Sequence, residues 1–388
     1  MGKPRVMCVY GTRPEAIKVA PVIKALEGST RLEAVVAVTG QHREMLDPVN
    51  ELFGITPEHD LGLMRPGASV AQMTTLVIEH VTALLESERP DAIMVQGDTT
   101  SAFASALAGF YARVPVVHLE AGLRTRDIGT PFPEEANRRL TAPISALHLA
   151  PTERARRYLV HEGIDPAEIV VTGNTVIDAL RRVTAVPAVV QDPDVAKALA
   201  ADAPLLLVTA HRRESWGSRM SEAMEAVARL ARDRPELNVV LPMHRNPIVR
   251  DAIAPILGDL PNVVLTEPLG YHEFTTVLAR STLVLTDSGG VQEEAPSLGK
   301  PVLVMRESTE RPEAVEVGVA RLVGTDLERI RFEVGHLLDD ADEYERMASA
   351  VNPYGDGKAA ARCEAAIAEL LGVGQRLPDF SSTRQSSP

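Results

Sequence analysis

Short apolar runs alternate with helical stretches along almost the whole chain, and the alternation comes in two separate series. In the first, runs at 6–10, 32–39, 92–96, 114–119, 146–150 and 169–171 read as strands, and 16–26, 70–87 and 101–111 read as helices between them. In the second, strands are expected at 205–209, 239–243, 263–266, 283–286, 302–304 and 321–323. A β-α-β-α order predicts parallel sheets with helices on both faces. The fold class is therefore α/β, built as two doubly wound lobes. Ligands of such sheets sit beyond the carboxyl ends of the strands, so two facing lobes are expected to enclose a cleft.

With 388 residues the chain exceeds what one hydrophobic core usually holds, which agrees with two domains. The expected divisions are 1–180 for the first lobe, 181–204 for a linker and entry helix, and 205–357 for the second lobe. A helix over 358–372 is expected to pack back on the first lobe, and 373–388, rich in Ser, Pro and Gln, to be a disordered tail. A formal net charge of −13 argues against general nucleic-acid binding, because no basic excess is there to neutralise phosphates. No run of about 18 apolar residues predicts a membrane span. The N-terminal apolar stretch is too short for a signal peptide. Two cysteines, Cys8 and Cys363, without a C-x-x-C pair fit a reducing, cytoplasmic setting.

Two strand-to-helix turns have the composition of phosphate loops. The run 283–286 leads into Asp287-Ser288-Gly289-Gly290, where small residues let a diphosphate approach backbone N–H groups at a helix start. A tight turn capped by Asp or Ser is the alternative. The run 6–10 leads into Gly11-Thr12-Arg13-Pro14-Glu15, with Lys18 beyond; Arg13 and Lys18 either face an anion or form a surface ion pair with Glu15. No G-x-G-x-x-G is present, so the dinucleotide fingerprint is missing. Glu293 and Glu294 either complement the helix end or accept ribose hydroxyls, and Arg311 is a candidate second diphosphate contact.

Acid–base candidates also fall past strand ends. Asp98 follows the run 92–96, Glu120 follows 114–119, Glu134 opens a helix after PFP, and His211 follows 205–209. Carboxylates and a histidine converging on one site fit proton transfer at carbon. An Asp at a strand end can equally be a cap, and a lone His a structural residue. The spacing of His42, His118 and His244 matches no compact metal-ligand pattern, so no metal is expected. No G-x-S-x-G elbow marks a nucleophile.

Taken together and in order, GTRPEAIKVAPVI, GQHREML, QGDTTSA, HLEAGLRT, PFPEEANRR, TGNTVIDAL, HRRES, TDSGGVQEEAPSLGKPVLV, ERPEA and NPYGDG resemble the bacterial non-hydrolysing UDP-N-acetylglucosamine 2-epimerases over roughly residues 5–370. The resemblance implies a GT-B-like fold of two Rossmann-type lobes, a homodimer, and no cofactor. It implies interconversion of UDP-N-acetylglucosamine and UDP-N-acetylmannosamine through loss of UDP to a 2-acetamidoglucal and its re-addition. On this chain it places Asp98, Glu120, Glu134 and His211 in the acid–base and diphosphate-supporting set. It places Arg13, Lys18, His244, Phe274, Ser288, Gly289, Gly290, Glu294 and Arg311 around UDP, with Phe274 against the uracil. Gln41, His42, Arg43 and Glu134 match a second, activating substrate site. Ala68 departs from that site, standing where members often carry a Gln, and so removes an amide that would bond the second nucleotide.

Three other readings compete. A hydrolysing relative would release N-acetylmannosamine and UDP, but such proteins usually carry a kinase domain or a divergent PEEANR region. A GT-B glycosyltransferase would not need the paired HLEAGLRT and PFPEEANRR motifs. A UDP-sugar-binding regulator would not need Asp98, Glu120, Glu134 and His211.

Overall fold

The computed structural model describes residues 2–40, 43–63, 65, 67–125, 127–211 and 217–382, except for the side chains of 43–45. The chain divides into two compact units. The N-terminal unit runs through Ala179 and takes up Tyr354–Ser382; the other spans Leu180–Pro353.

In the N-terminal unit the strands are β1 (Arg5–Tyr10), β2 (Glu33–Val38), β3 (His59–Asp60), β4 (Ala92–Gln96), β5 (Val116–Leu119), β6 (Leu147–Ala150) and β7 (Ile169–Val171). They pair in the order β3-β2-β1-β4-β5-β6-β7, all parallel. Every residue of β4 is buried, as expected of a strand covered on both faces. The covering helices are α1 (Arg13–Glu27), α2 (Arg43–Phe53), α3 (Val70–Glu88), α4 (Thr100–Tyr111), α5 (Glu134–Thr141), α6 (Glu153–His161) and α7 (Thr175–Thr184).

The C-terminal unit repeats the plan with β8 (Leu205–Thr209), β9 (Asn238–Pro242), β10 (Val263–Thr266), β11 (Leu283–Thr286), β12 (Val302–Val304) and β13 (Ala320–Leu322), in the order β10-β9-β8-β11-β12-β13. Its helices are α8 (Pro193–Ala200), α9 (Ser218–Asp233), α10 (Pro247–Leu257), α11 (Tyr271–Arg280), α12 (Gly289–Glu294), α13 (Pro312–Glu316), α14 (Leu327–Asp339) and α15 (Ala341–Ala348). Among the described residues, no helix is long and apolar enough to cross a membrane.

In each sheet the strand order reverses beside the first strand, between β1 and β4 and between β8 and β11. Loops diverge there, leaving a crevice at the carboxyl ends of the strands. The turns carrying Gly11–Arg13, Gly97–Asp98, His211 and Asp287–Gly290 all lie at these two points.

The divisions differ in three places from those read in the sequence. The stretch 181–204 holds the end of α7 and all of α8, and belongs to the C-terminal unit. That unit ends at Pro353 because the next residues pair with the other one: Asn174 N donates to Tyr354 O at 2.6 Å. The final helix, α16 (Ala359–Leu370), packs on α1 and is capped by Asp178, which accepts from the N–H groups of Ala359 and Ala360. The stretch 373–388, read as a disordered tail, is docked through Phe380. Phe380 is buried, its N–H donates to Val171 O at 2.7 Å, and Asp379 pairs with Arg156. The β7 edge needs backbone partners, and one phenylalanine anchors the segment that supplies them.

Candidate functional site

On the N-terminal unit the construction starts at β1. Gly11 leaves the strand where a Cβ would stand 2.0 Å from Thr39 Oγ1, so no side chain fits. Thr12 caps α1 in a capping box with Glu15. One turn on, Lys18 Nζ donates to both Glu120 oxygens, at 2.6 and 2.7 Å. Gln96 Nε2 and Asn174 Nδ2 also donate to Glu120, the latter at 3.0 Å. Glu120 is 8% exposed with φ +63°, a left-handed conformation in which a non-glycine residue is uncommon. Lys18, expected beside UDP, is thus placed as the counter-ion of Glu120.

Asp98 follows Gly97, which has φ +70° and whose carbonyl accepts from His118 Nε2 at 2.7 Å. Arg138 donates to Asp98 Oδ2 from Nε at 2.7 Å, and its Nη2 lies 2.6 Å from the same oxygen. Asn137 Nδ2 donates to Asp98 O at 2.8 Å. The PFPEEANRR segment therefore holds the Asp98 turn. Its Glu135, fully buried, accepts from Thr125 N, Arg138 and Arg139. Glu134 lies one helical turn before Arg138 on the same face. Its Oε2 is buried with no partner among the described residues. Arg13 is the first residue of α1 and half-buried.

On the C-terminal unit β8 and β11 are joined at their ends by a 2.5 Å hydrogen bond between the Thr209 and Thr286 hydroxyls. Asp287, 1% exposed, accepts from His211 N at 2.8 Å and lies 2.9 Å from His211 Nδ1. The His211 ring is stacked on His244 with centroids 6.4 Å apart. Asn246 N donates to His244 Nδ1 at 3.1 Å, which leaves the proton of neutral His244 on Nε2. Burial, followed by the charge of His211, pushes His244 below the ordinary histidine value.

Ser288 precedes α12 with its own N–H bonded to Thr286 Oγ1. Among the described residues, a Cβ on Gly290 would meet only Ser288 Oγ, at 4.0 Å, which leaves room for a side chain there. Glu294 accepts from Tyr271 OH at 2.8 Å. Arg311, a candidate diphosphate contact, is placed on buried Glu293 at 2.7 Å. Phe274 is half-buried on α11. Gln41 and His42 lie outside the described residues, and nothing is described of the Arg43 side chain. Ala68 packs half-buried against the core of the N-terminal unit.

Glu15, which the sequence offers only as a surface ion-pair partner, is 1% exposed. The T-x-x-E spacing from Thr12 signals its cap, but its burial comes from a loop 84 residues away. Among the described residues no group of three or more His, Cys, Asp or Glu is placed to hold a metal ion.

Two doubly wound parallel units, with charged and glycine-bearing turns at each switch point, form a GT-B-like architecture. The family described as UDP-N-acetylglucosamine 2-epimerase matches residues 24–368. The chain belongs to that family. It is 49% identical over 363 residues to the UDP-N-acetylglucosamine 2-epimerase of Salmonella typhimurium, covering 92% of this chain and 96% of that one. The solved UDP-GlcNAc 2-epimerase of Neisseria meningitidis bound to UDP-GlcNAc superposes with a TM-score of 0.85 at 43% identity, covering 95% of this chain and all of that one. That of Methanocaldococcus jannaschii, in complex with UDP-GlcNAc and UDP, gives 0.75 at 31% identity, with 95% and 100% covered.

Proposed function

We propose that this protein is a non-hydrolysing epimerase that interconverts UDP-N-acetylglucosamine and UDP-N-acetylmannosamine. The observation that carries this reading is the intact PFPEEANRR segment, whose Asn137 and Arg138 hold Asp98 at the switch point beside the Lys18–Glu120 pair. A carboxylate fixed at one position can remove a proton from carbon and hold it for return.

In the forward direction a carboxylate takes the proton from carbon 2. The C–H electrons become the double bond between carbons 1 and 2, and the bond from carbon 1 to the diphosphate oxygen breaks with its electrons on UDP. The reverse addition delivers a proton to the opposite face of carbon 2 and reforms the bond to UDP. Asp98, Glu120, Glu134 and His211 supply the proton-handling groups. The backbone N–H groups of Gly289 and Gly290, with Arg13, stabilise charge developing on the departing diphosphate. Phe274, His244 and Glu294 flank the nucleotide. The working form in this reading is a cytoplasmic homodimer, as the family resemblance implies.

Incubation with UDP-N-acetylglucosamine in D₂O is expected to give a mixture containing UDP-N-acetylmannosamine, with one deuterium at carbon 2 of the turned-over sugar. Free N-acetylmannosamine as the main product would establish the hydrolysing reading instead. Gly290→Ala tests the diphosphate loop. Because the protein leaves room for the methyl group, the melting temperature should move little, while the affinity for UDP should fall about tenfold or more, since only the ligand meets the added carbon. Unchanged UDP affinity would remove Gly290 from the site.

A further inference from the structure

A glutamate at the third position of a helix needs only one bond to complete a capping box, and it can make that bond at the surface. Glu15 does more. Its Oε2 accepts from Gly11 N at 3.0 Å and Thr12 N at 2.7 Å, and its Oε1 accepts from the Thr99 hydroxyl at 2.6 Å. Thr99 is the residue after Asp98 and the cap of α4, where its Oγ1 also accepts from Ala102 N at 3.0 Å. Glu15 therefore ties the β1–α1 turn to the β4–α4 turn. A neighbouring bond, from Thr39 just past β2 to Ser101 on α4 at 3.2 Å, anchors α4 to a different strand.

Burying a carboxylate is unfavourable, and here burial pushes the Glu15 carboxyl above its ordinary value despite the donors around it. A fold that needed only a helix cap would not require that burial. What the buried carboxylate adds is a fixed distance between the anchored Gly11–Thr12 backbone and the Asp98–Thr99 turn. Asp98 is then held on three sides, by His118 at the preceding carbonyl, by Asn137 at its own carbonyl, and by Glu15 at the following hydroxyl.

We infer that Glu15 is a positioning residue of the reaction, acting through Thr99 to set the place of the Asp98 carboxylate. This rests on the reading of Asp98 as a proton-handling group. Glu15→Gln is the informative change. Its amide oxygen can keep the Gly11 and Thr12 N–H groups, while its NH₂ faces Thr99 Oγ1 and forces the hydroxyl proton away.

The full-length protein is assayed as wild type, Glu15→Gln, Thr99→Val, Thr99→Ser, the double variant E15Q/T99V and Asp98→Asn, for kcat, KM, UDP affinity and melting temperature. Glu15→Gln and Thr99→Val are each expected to lower kcat about 10–100-fold, with UDP affinity held within about threefold. Thr99→Ser, which keeps both the cap and the hydroxyl donor, should restore kcat to within about threefold of wild type. The double variant should be no slower than the worse single one, because both act on the same Glu15–Thr99 contact. Wild-type kcat in Glu15→Gln, together with a severe loss in Asp98→Asn, would overturn the inference and leave the site intact. Losses that multiply in the double variant, or a fall in melting temperature without a fall in kcat, would reduce Glu15 to a helix cap. A near-normal Asp98→Asn would instead overturn the reading of the site itself.

Discussion

Asp98→Asn is expected to slow turnover by about 10²–10⁴-fold while UDP still binds, because it removes the proposed proton-handling group without changing the size of the side chain. Arg138 contributes two nitrogens to one carboxylate oxygen, and Asn137 holds the adjacent carbonyl, so the turn keeps its main-chain anchor in the variant. The candidate UDP-binding loops Asp287–Gly290 and His211 belong to the other unit and are untouched by the change. Steady-state kinetics, carbon-2 deuterium incorporation and calorimetric UDP binding check the three parts separately. Turnover within about threefold of wild type would remove Asp98 from the chemistry.

Glu120→Gln is a less clean experiment, and the reason is energetic. Lys18 would keep its charge, with its side chain only 15% exposed, but would lose the Glu120 anion. Breaking one half of a buried ion pair commonly costs about 3–5 kcal/mol, a large share of the stability of an average domain. Lost activity in that variant would mix chemistry with unfolding, so Asp98 discriminates better.

The two sheets were legible because strands buried on both faces read as continuous apolar runs, and the helices between them imposed the parallel order. β3 was not legible, because His59 and Asp60 form a two-residue edge strand with no apolar run to mark it. The turns at the switch points were found from composition, because glycine, small residues and charges past a strand end are a local signal. Their partners were not found. Lys18 with Glu120 and Arg311 with Glu293 are pairs fixed by the fold, and nothing near Lys18 in sequence names Glu120, 102 residues on. The docking of the chain through Phe380 escaped for the same reason: Phe380 reads as a lone aromatic in a polar tail until β7 is seen to present an unpaired edge.

The protein is also expected to lose stability steeply on acidification, through two histidines outside the proposed acid–base set. His118 and His148 are direct neighbours on β5 and β6, 1% and 0% exposed. His118 Nε2 meets the Gly97 carbonyl, but its Nδ1 and both ring nitrogens of His148 are buried with no partner among the described residues. Burial pushes His118 down to about 4 and His148 to about 3, with the nearby Arg124 charge adding to both. In the unfolded chain each titrates near 6.5, so between pH 6.5 and 4 the unfolded state binds more protons and stability falls as pH falls. The His118 shift alone corresponds to ~3 kcal/mol by pH 4, and that of His148 is at least as large. Buried Glu15 and Asp178, whose carboxyls are pushed upward, pull the other way in that range. Their contribution cancels when two proteins that share them are compared. Urea denaturation of wild type and His148→Leu at pH 7 and pH 4.5 makes that comparison. The leucine sacrifices no described hydrogen bond and cannot be protonated, so His148→Leu should lose less stability than wild type between the two pH values. Parallel losses would show that His148 is not a source of the acid sensitivity.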